Sequence, residues 1–193
     1  TIFHYQNLTL LALAIPIVCG GYILANGLIL HFYGQNYLPA VLALRILLLM
    51  AGISYLSTSF GTTLFVFNQQ KKAFWVSLAG ALLNVPLNAL LIPRYGFYGA
   101  AIATVITAFL TLFVLIYLIK RFTPLKLINW FFLKHLLIII FATILMALIL
   151  IVGAKYNINP IIKVFLGSLI YVILLGSFLF LSKEKITTNS FKN

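Results

Sequence analysis

Six stretches of this chain run almost without charge, and each is long enough to cross a bilayer core about 30 Å thick, which takes ~20 helical residues. They lie at roughly 9–30, 39–66, 73–92, 98–119, 132–153 and 160–182. Each run is continuous, so none shows the short alternating segments of a transmembrane strand. The expected fold is all-α, a polytopic membrane helical bundle of about six transmembrane helices.

Composition supports lipid as the solvent. The chain is 64% hydrophobic and 7% charged over 193 residues, whereas soluble domains are about 45–50% apolar. Cys19 is the single cysteine, so no internal disulfide is possible. The net charge of +12 does not indicate nucleic acid, because the Lys and Arg residues are scattered between apolar runs and form no basic face. They fit the loops of a membrane protein better. With the N-terminus inside, the inner side carries Lys71, Lys72, Lys120, Arg121, Lys126, Lys134, Lys183, Lys185 and Lys192. The outer side carries only Arg45, Arg94, Lys155 and Lys163. This bias places both termini in the cytoplasm. Tyr33, Tyr37, Tyr95, Tyr98, Trp130 and Tyr156 fall near the expected interfaces. The connections are short, and the tail 183–193 is polar and expected to be mobile. The chain opens at Thr1 with no methionine and no signal-peptide pattern, so an N-terminal part is expected to be missing.

The segment 88–106, NALLIPRYGFYGAAIATVI, breaks the pattern of large side chains. Pro93 is expected to stop the third helix and to push the residue before it out of helical geometry. Gly96 and Gly99 would let the chain reverse tightly. The fourth helix then carries Gly99, Ala100, Ala103, Thr104, Thr107, Ala108 and Thr111 at spacings that line one face. Small residues at that spacing let helix backbones approach closely in lipid. The same face could instead form a cavity wall. In the third helix, Pro86 stands between Asn84 and Asn88 and should kink the helix, freeing a carbonyl that needs another donor. The asparagines either repair that kink or glue helices together, or else Pro86 is a hinge and they face a polar cavity.

The second helix offers Ser54, Thr58, Gly61 and Thr62 along one side, readable as helix packing or as a hydroxyl-lined cavity face. Arg45 lies one to two turns into that helix. It either snorkels to outer headgroups or serves as a cavity cation that meets a diphosphate or an acidic sugar.

The run 82–109, LLNVPLNALLIPRYGFYGAAIATVITAF, resembles the signature of bacterial polysaccharide-biosynthesis flippases of the O-antigen translocase type. The stretches 31–49 and 68–73 are similar to that family's Tyr-Gly loop and basic inner loop. The family belongs to the multidrug, oligosaccharidyl-lipid and polysaccharide exporter superfamily, whose members have twelve to fourteen helices in two lobes. The resemblance implies that this chain is the C-terminal six, with the first half absent. It also implies an undecaprenyl-diphosphate oligosaccharide as substrate, carried across the bacterial inner membrane by alternating access, with membrane lipid and the missing N-terminal helices as partners.

Enzyme chemistry finds little support. The chain has no Asp and one Glu, Glu184 in the tail, which leaves no carboxylate pair for glycoside hydrolysis and no acid for a Ser-His-Asp triad. His4, His31 and His135 lack metal-ligand spacing, so no metal or cofactor is expected. The alternatives are a drug or toxin exporter of the same superfamily and a membrane enzyme of the same pathway, such as a polysaccharide polymerase or acyltransferase. Cationic drugs would favour acidic cavity groups, which these six helices lack.

Overall fold

The computed structural model describes residues 2–153 and 159–190, with side chains for 3–153 and 159–177. Lys155, Tyr156 and Lys192 lie outside the described residues, as do the side chains of Lys183, Glu184 and Lys185. Six helices follow in order: α1 Ile2–Tyr33, α2 Ala40–Val66, α3 Gln70–Tyr95, α4 Phe97–Phe122, α5 Trp130–Gly153 and α6 Pro160–Ser190. A single 3-10 turn, Gln35–Tyr37, precedes α2. There is no strand among the described residues, and each helix is long and apolar enough to cross a membrane.

Helix α1 begins seven residues before the expected start. Asn7 Nδ2 donates to Phe3 O at 2.8 Å. Helix α6 continues to Ser190, so the expected mobile tail is helical over most of its length. Its Ser-Lys-Glu-Lys opening includes good helix formers.

Pro93 does not stop the third helix. Helix α3 runs through it to Tyr95, and Ile92 before it is helical. In lipid, breaking the helix there would leave several backbone groups without partners, and continuing with one missing N–H leaves fewer. The break comes at Gly96, whose φ of 57° and ψ of −138° suit glycine. Gly96 N donates to Ile92 O at 2.8 Å, and α4 starts at the next residue. Gly99 is needed for a different reason. A Cβ there would stand 2.3 Å from Leu91 O, so the last turns of α3 lie directly on the first turn of α4.

A third helical proline, Pro16, interrupts α1. The carbonyl it deprives of a donor is Ala12 O, which instead accepts from the Tyr171 hydroxyl of α6.

Helix α1 packs on α2, α5 and α6, and α4 packs on both α2 and α3. One core gathers Phe3, Ile53, Phe60, Leu64, Val76, Leu112, Leu115 and Ile119. A second gathers Leu24, Ala142, Met146, Leu150 and Tyr171. Helices α2 and α3 meet each other far less than each meets α4. They therefore stand apart over α4, and a groove opens between them.

Candidate functional site

The groove has α2 and α3 as walls and α4 as floor. Its middle part, about 500 Å³, is lined by Ser54, Ser57, Thr58, Ser77, Gly80, Ala81, Asn84, Thr104, Thr107, Ala108 and Thr111. A wider part of about 900 Å³ continues toward the α2–α3 connection. Ser57, Thr58, Ser77 and Thr111 belong to both parts, and the wider one adds Gly61, Thr62, Gln70 and Lys71 together with the apolar Phe65, Ala73, Phe74, Trp75 and Leu115. A polar strip thus runs from Lys71 at the helix ends to Asn84 and Thr104 inside the span.

Helical periodicity assembles this strip. Ser54, Ser57, Thr58 and Gly61 fall on one side of α2, Ser77, Gly80, Ala81 and Asn84 on one side of α3, and Thr104, Thr107, Ala108 and Thr111 on one side of α4. Most of the hydroxyl protons are already committed to their own helices. Thr58 Oγ1 donates to Ser54 O at 2.8 Å, Ser57 Oγ to Ile53 O at 3.1 Å and Thr104 Oγ1 to Ala100 O at 2.9 Å. The groove therefore offers oxygen lone pairs that accept hydrogen bonds, and the Lys71 ammonium at its wide end. Among the described residues no carboxylate lies on its walls. Such a surface suits a sugar, whose many hydroxyls can donate, joined to an anionic group that Lys71 can meet.

Of the residues expected from sequence, Ser54, Thr58, Asn84 and Thr104 come together in this groove. Asn88 lies one turn beyond. Its Nδ2 donates to Asn84 O at 3.0 Å and to Asn84 Oδ1 at 2.7 Å, while Asn84 Nδ2 donates to Thr107 Oγ1 at 3.0 Å. Asn84 thus ties α3 to α4, and Asn88 braces Asn84 from within α3. They do not repair the Pro86 gap, since the carbonyl four residues before Pro86 is Leu82 O and neither amide goes to it. Ala100 and Ala103 lie in the first half of α4; Ala103 is fully buried, and both serve as carbonyl acceptors for the threonines.

Arg45 is not on the groove. Its Nε donates to Tyr22 O at 3.3 Å and its guanidinium lies 4.7 Å from the centre of the Tyr22 ring, so it is held against α1. The separation follows from helix geometry: nine residues from Arg45 to Ser54 are about two and a half turns, which puts them on opposite faces. The sequence reading did not name Ser57 and Ser77. Ser77 stands seven residues before Asn84, two turns along the same face, and that spacing was the available signal.

The histidines lie apart. His4 is buried with its ring edge-on to Phe3 and Phe132, His31 packs on Phe32, and His135 Nδ1 is 2.8 Å from Phe131 O. No group of metal-ligating side chains occurs among the described residues.

No protein-family model matches this chain, and no curated protein matches it. Among solved structures it is similar to the lipid II flippase MurJ in an inward closed conformation, with a TM-score of 0.72 and 22% sequence identity. The two chains share a fold of packed membrane-length helices. The match covers 91% of this chain and 39% of the MurJ chain, so this chain spans less than half of MurJ's length.

Proposed function

We propose that this protein forms one lobe of a flippase for undecaprenyl-diphosphate-linked oligosaccharide, of the O-antigen or capsule repeat-unit kind, in the bacterial inner membrane. The observation that carries this reading is the hydroxyl-lined groove, with Lys71 at its wide end and no carboxylate on its walls, set in a fold shared with a lipid-linked-substrate flippase. The sugar hydroxyls would donate to Ser57, Thr58, Ser77 and Thr104, and the diphosphate would meet Lys71. Helix α3, with only Ala73 and Val76 buried, is covered by α4 on one side only. In this reading further helices of the same transporter supply the facing wall of the cavity, and the two lobes rock about it in alternating access. Both termini of this chain are cytoplasmic, as the charge bias indicates.

Substrate competition in vesicles tests the reading. The whole transporter is reconstituted and transfer of a labelled undecaprenyl-diphosphate oligosaccharide is followed. Competition by the unlabelled lipid-linked sugar supports a flippase. Transfer that is absent, with lipophilic cations moved in its place, identifies a drug exporter and removes this proposal.

A further inference from the structure

A second basic feature stands beside the groove and is not part of its wall. Lys72, at the start of α3, places its Nζ 3.9 Å from the centre of the Phe122 ring. Arg121, at the end of α4, places its guanidinium carbon 5.9 Å from the same ring. Two cations from different helices thus converge on one aromatic plate, and Lys120 immediately precedes Arg121. Lys72 is steadied by a hydrogen bond to Gln69 Oε1. The chain's one acidic side chain is Glu184, and no carboxylate among the described residues reaches this cluster.

Like charges brought together without a counter-charge repel. At the first turn of α3 the helix dipole adds to the cost, because cations are unfavourable at a helix N-terminus. Gln69 offers that end no side-chain cap. An anion bound at Lys72 and Arg121 would relieve both effects. Lys72 and Arg121 stand at the ends of the membrane-length helices α3 and α4, the depth at which lipid headgroups lie.

We infer that Lys72, Arg121 and Phe122 form a site for the headgroup of an anionic phospholipid, separate from the transport groove. The phosphate would be met by the Lys72 ammonium and by the Arg121 guanidinium, which can bind it in a bidentate manner, with Phe122 as the ring both cations approach. Because Lys72 is not on the groove wall, this site stands or falls independently of the proposed substrate.

The test is lipid retention by the purified transporter, in neutral detergent, read by native mass spectrometry with phosphatidylglycerol and phosphatidylcholine as probes. Wild-type protein is expected to retain phosphatidylglycerol preferentially. Lys72→Gln and Arg121→Gln should each weaken that retention about five-fold. The pair Arg94→Gln with Lys163→Gln removes two charges, one more than either single variant, at the opposite helix ends and should leave retention unchanged. Phe122→Leu keeps every charge, removes the plate and should lower retention about two- to three-fold. If the charge variants do not fold, as read by helical circular dichroism, the Phe122→Leu result decides. Retention that is unchanged in these variants, or equally reduced in the remote pair, overturns the site.

Discussion

The Tyr171 hydroxyl donates to Ala12 O at 2.7 Å, and Ala12 O is the carbonyl that Pro16, four residues on, leaves without a helical donor. A side chain of α6 thereby completes the backbone of α1. In water a solvent molecule would do this, whereas in lipid the partner must come from the protein.

Tyr171→Phe removes that donor and is expected to destabilise the bundle by about 1 kcal/mol. Pro16→Ala restores an N–H facing Ala12 O, so in that background Tyr171→Phe should cost much less. Reversible unfolding of the four proteins of this cycle in mixed micelles measures the difference. Equal costs in both backgrounds would mean that the hydroxyl does not serve the proline gap.

Three glycines form a graded series. Gly99→Ala meets the Leu91 carbonyl at 2.3 Å, a backbone atom that cannot swing aside, and should destabilise by about 3 kcal/mol or more. Gly80→Ala meets Thr111 Oγ1 at 2.7 Å, a side chain that can rotate, and should cost about 1 kcal/mol. Gly61→Ala meets nothing within 4 Å and should fall within about 0.5 kcal/mol of wild type. Thermal unfolding in detergent ranks the three, and a reversed order would contradict the close approach of α3 to α4.

Asn84→Leu removes the bond to Thr107 and a polar group from the middle of the groove. Transport is expected to fall about tenfold, a loss of order one hydrogen bond, with protein still present in the membrane. Lys71→Gln should raise KM for a diphosphate-linked substrate about tenfold. Export assays alongside membrane immunoblots separate lost function from lost protein.

Arg45→Leu should behave differently. Its contacts to Tyr22 tie α1 to α2, so the expected change is about 1 kcal/mol in stability, with KM unchanged. A raised KM without a stability change would return Arg45 to the substrate path.

The six spans were legible because their runs are long, apolar and separated by short polar connections. The small face of α4 was legible from the spacing of Gly99, Ala103 and Thr107. Pro93 misled because the rule that proline ends helices weighs the clash and missing N–H against free exchange with water, and that alternative is absent in lipid. The choice between headgroup and cavity for Arg45 turned on its nine-residue offset from Ser54, which puts the two on opposite faces of α2. The Tyr171–Ala12 contact joins residues 159 apart in sequence, and no local pattern carries such a pairing. The groove itself depends on α2 and α3 both choosing α4 over each other, which is a property of packing and not of any one helix.

The central claim is that the α2–α3–α4 groove holds the substrate headgroup. The most direct measurement places a cysteine at Ser77 or Thr104, in a Cys19→Ser background, in the transporter in native membranes. Labelling by a membrane-impermeant maleimide is then followed from each side. The account predicts labelling at both positions and protection of both by undecaprenyl-diphosphate oligosaccharide. Labelling that the lipid-linked sugar leaves unchanged, or positions that never label from either side, would contradict it.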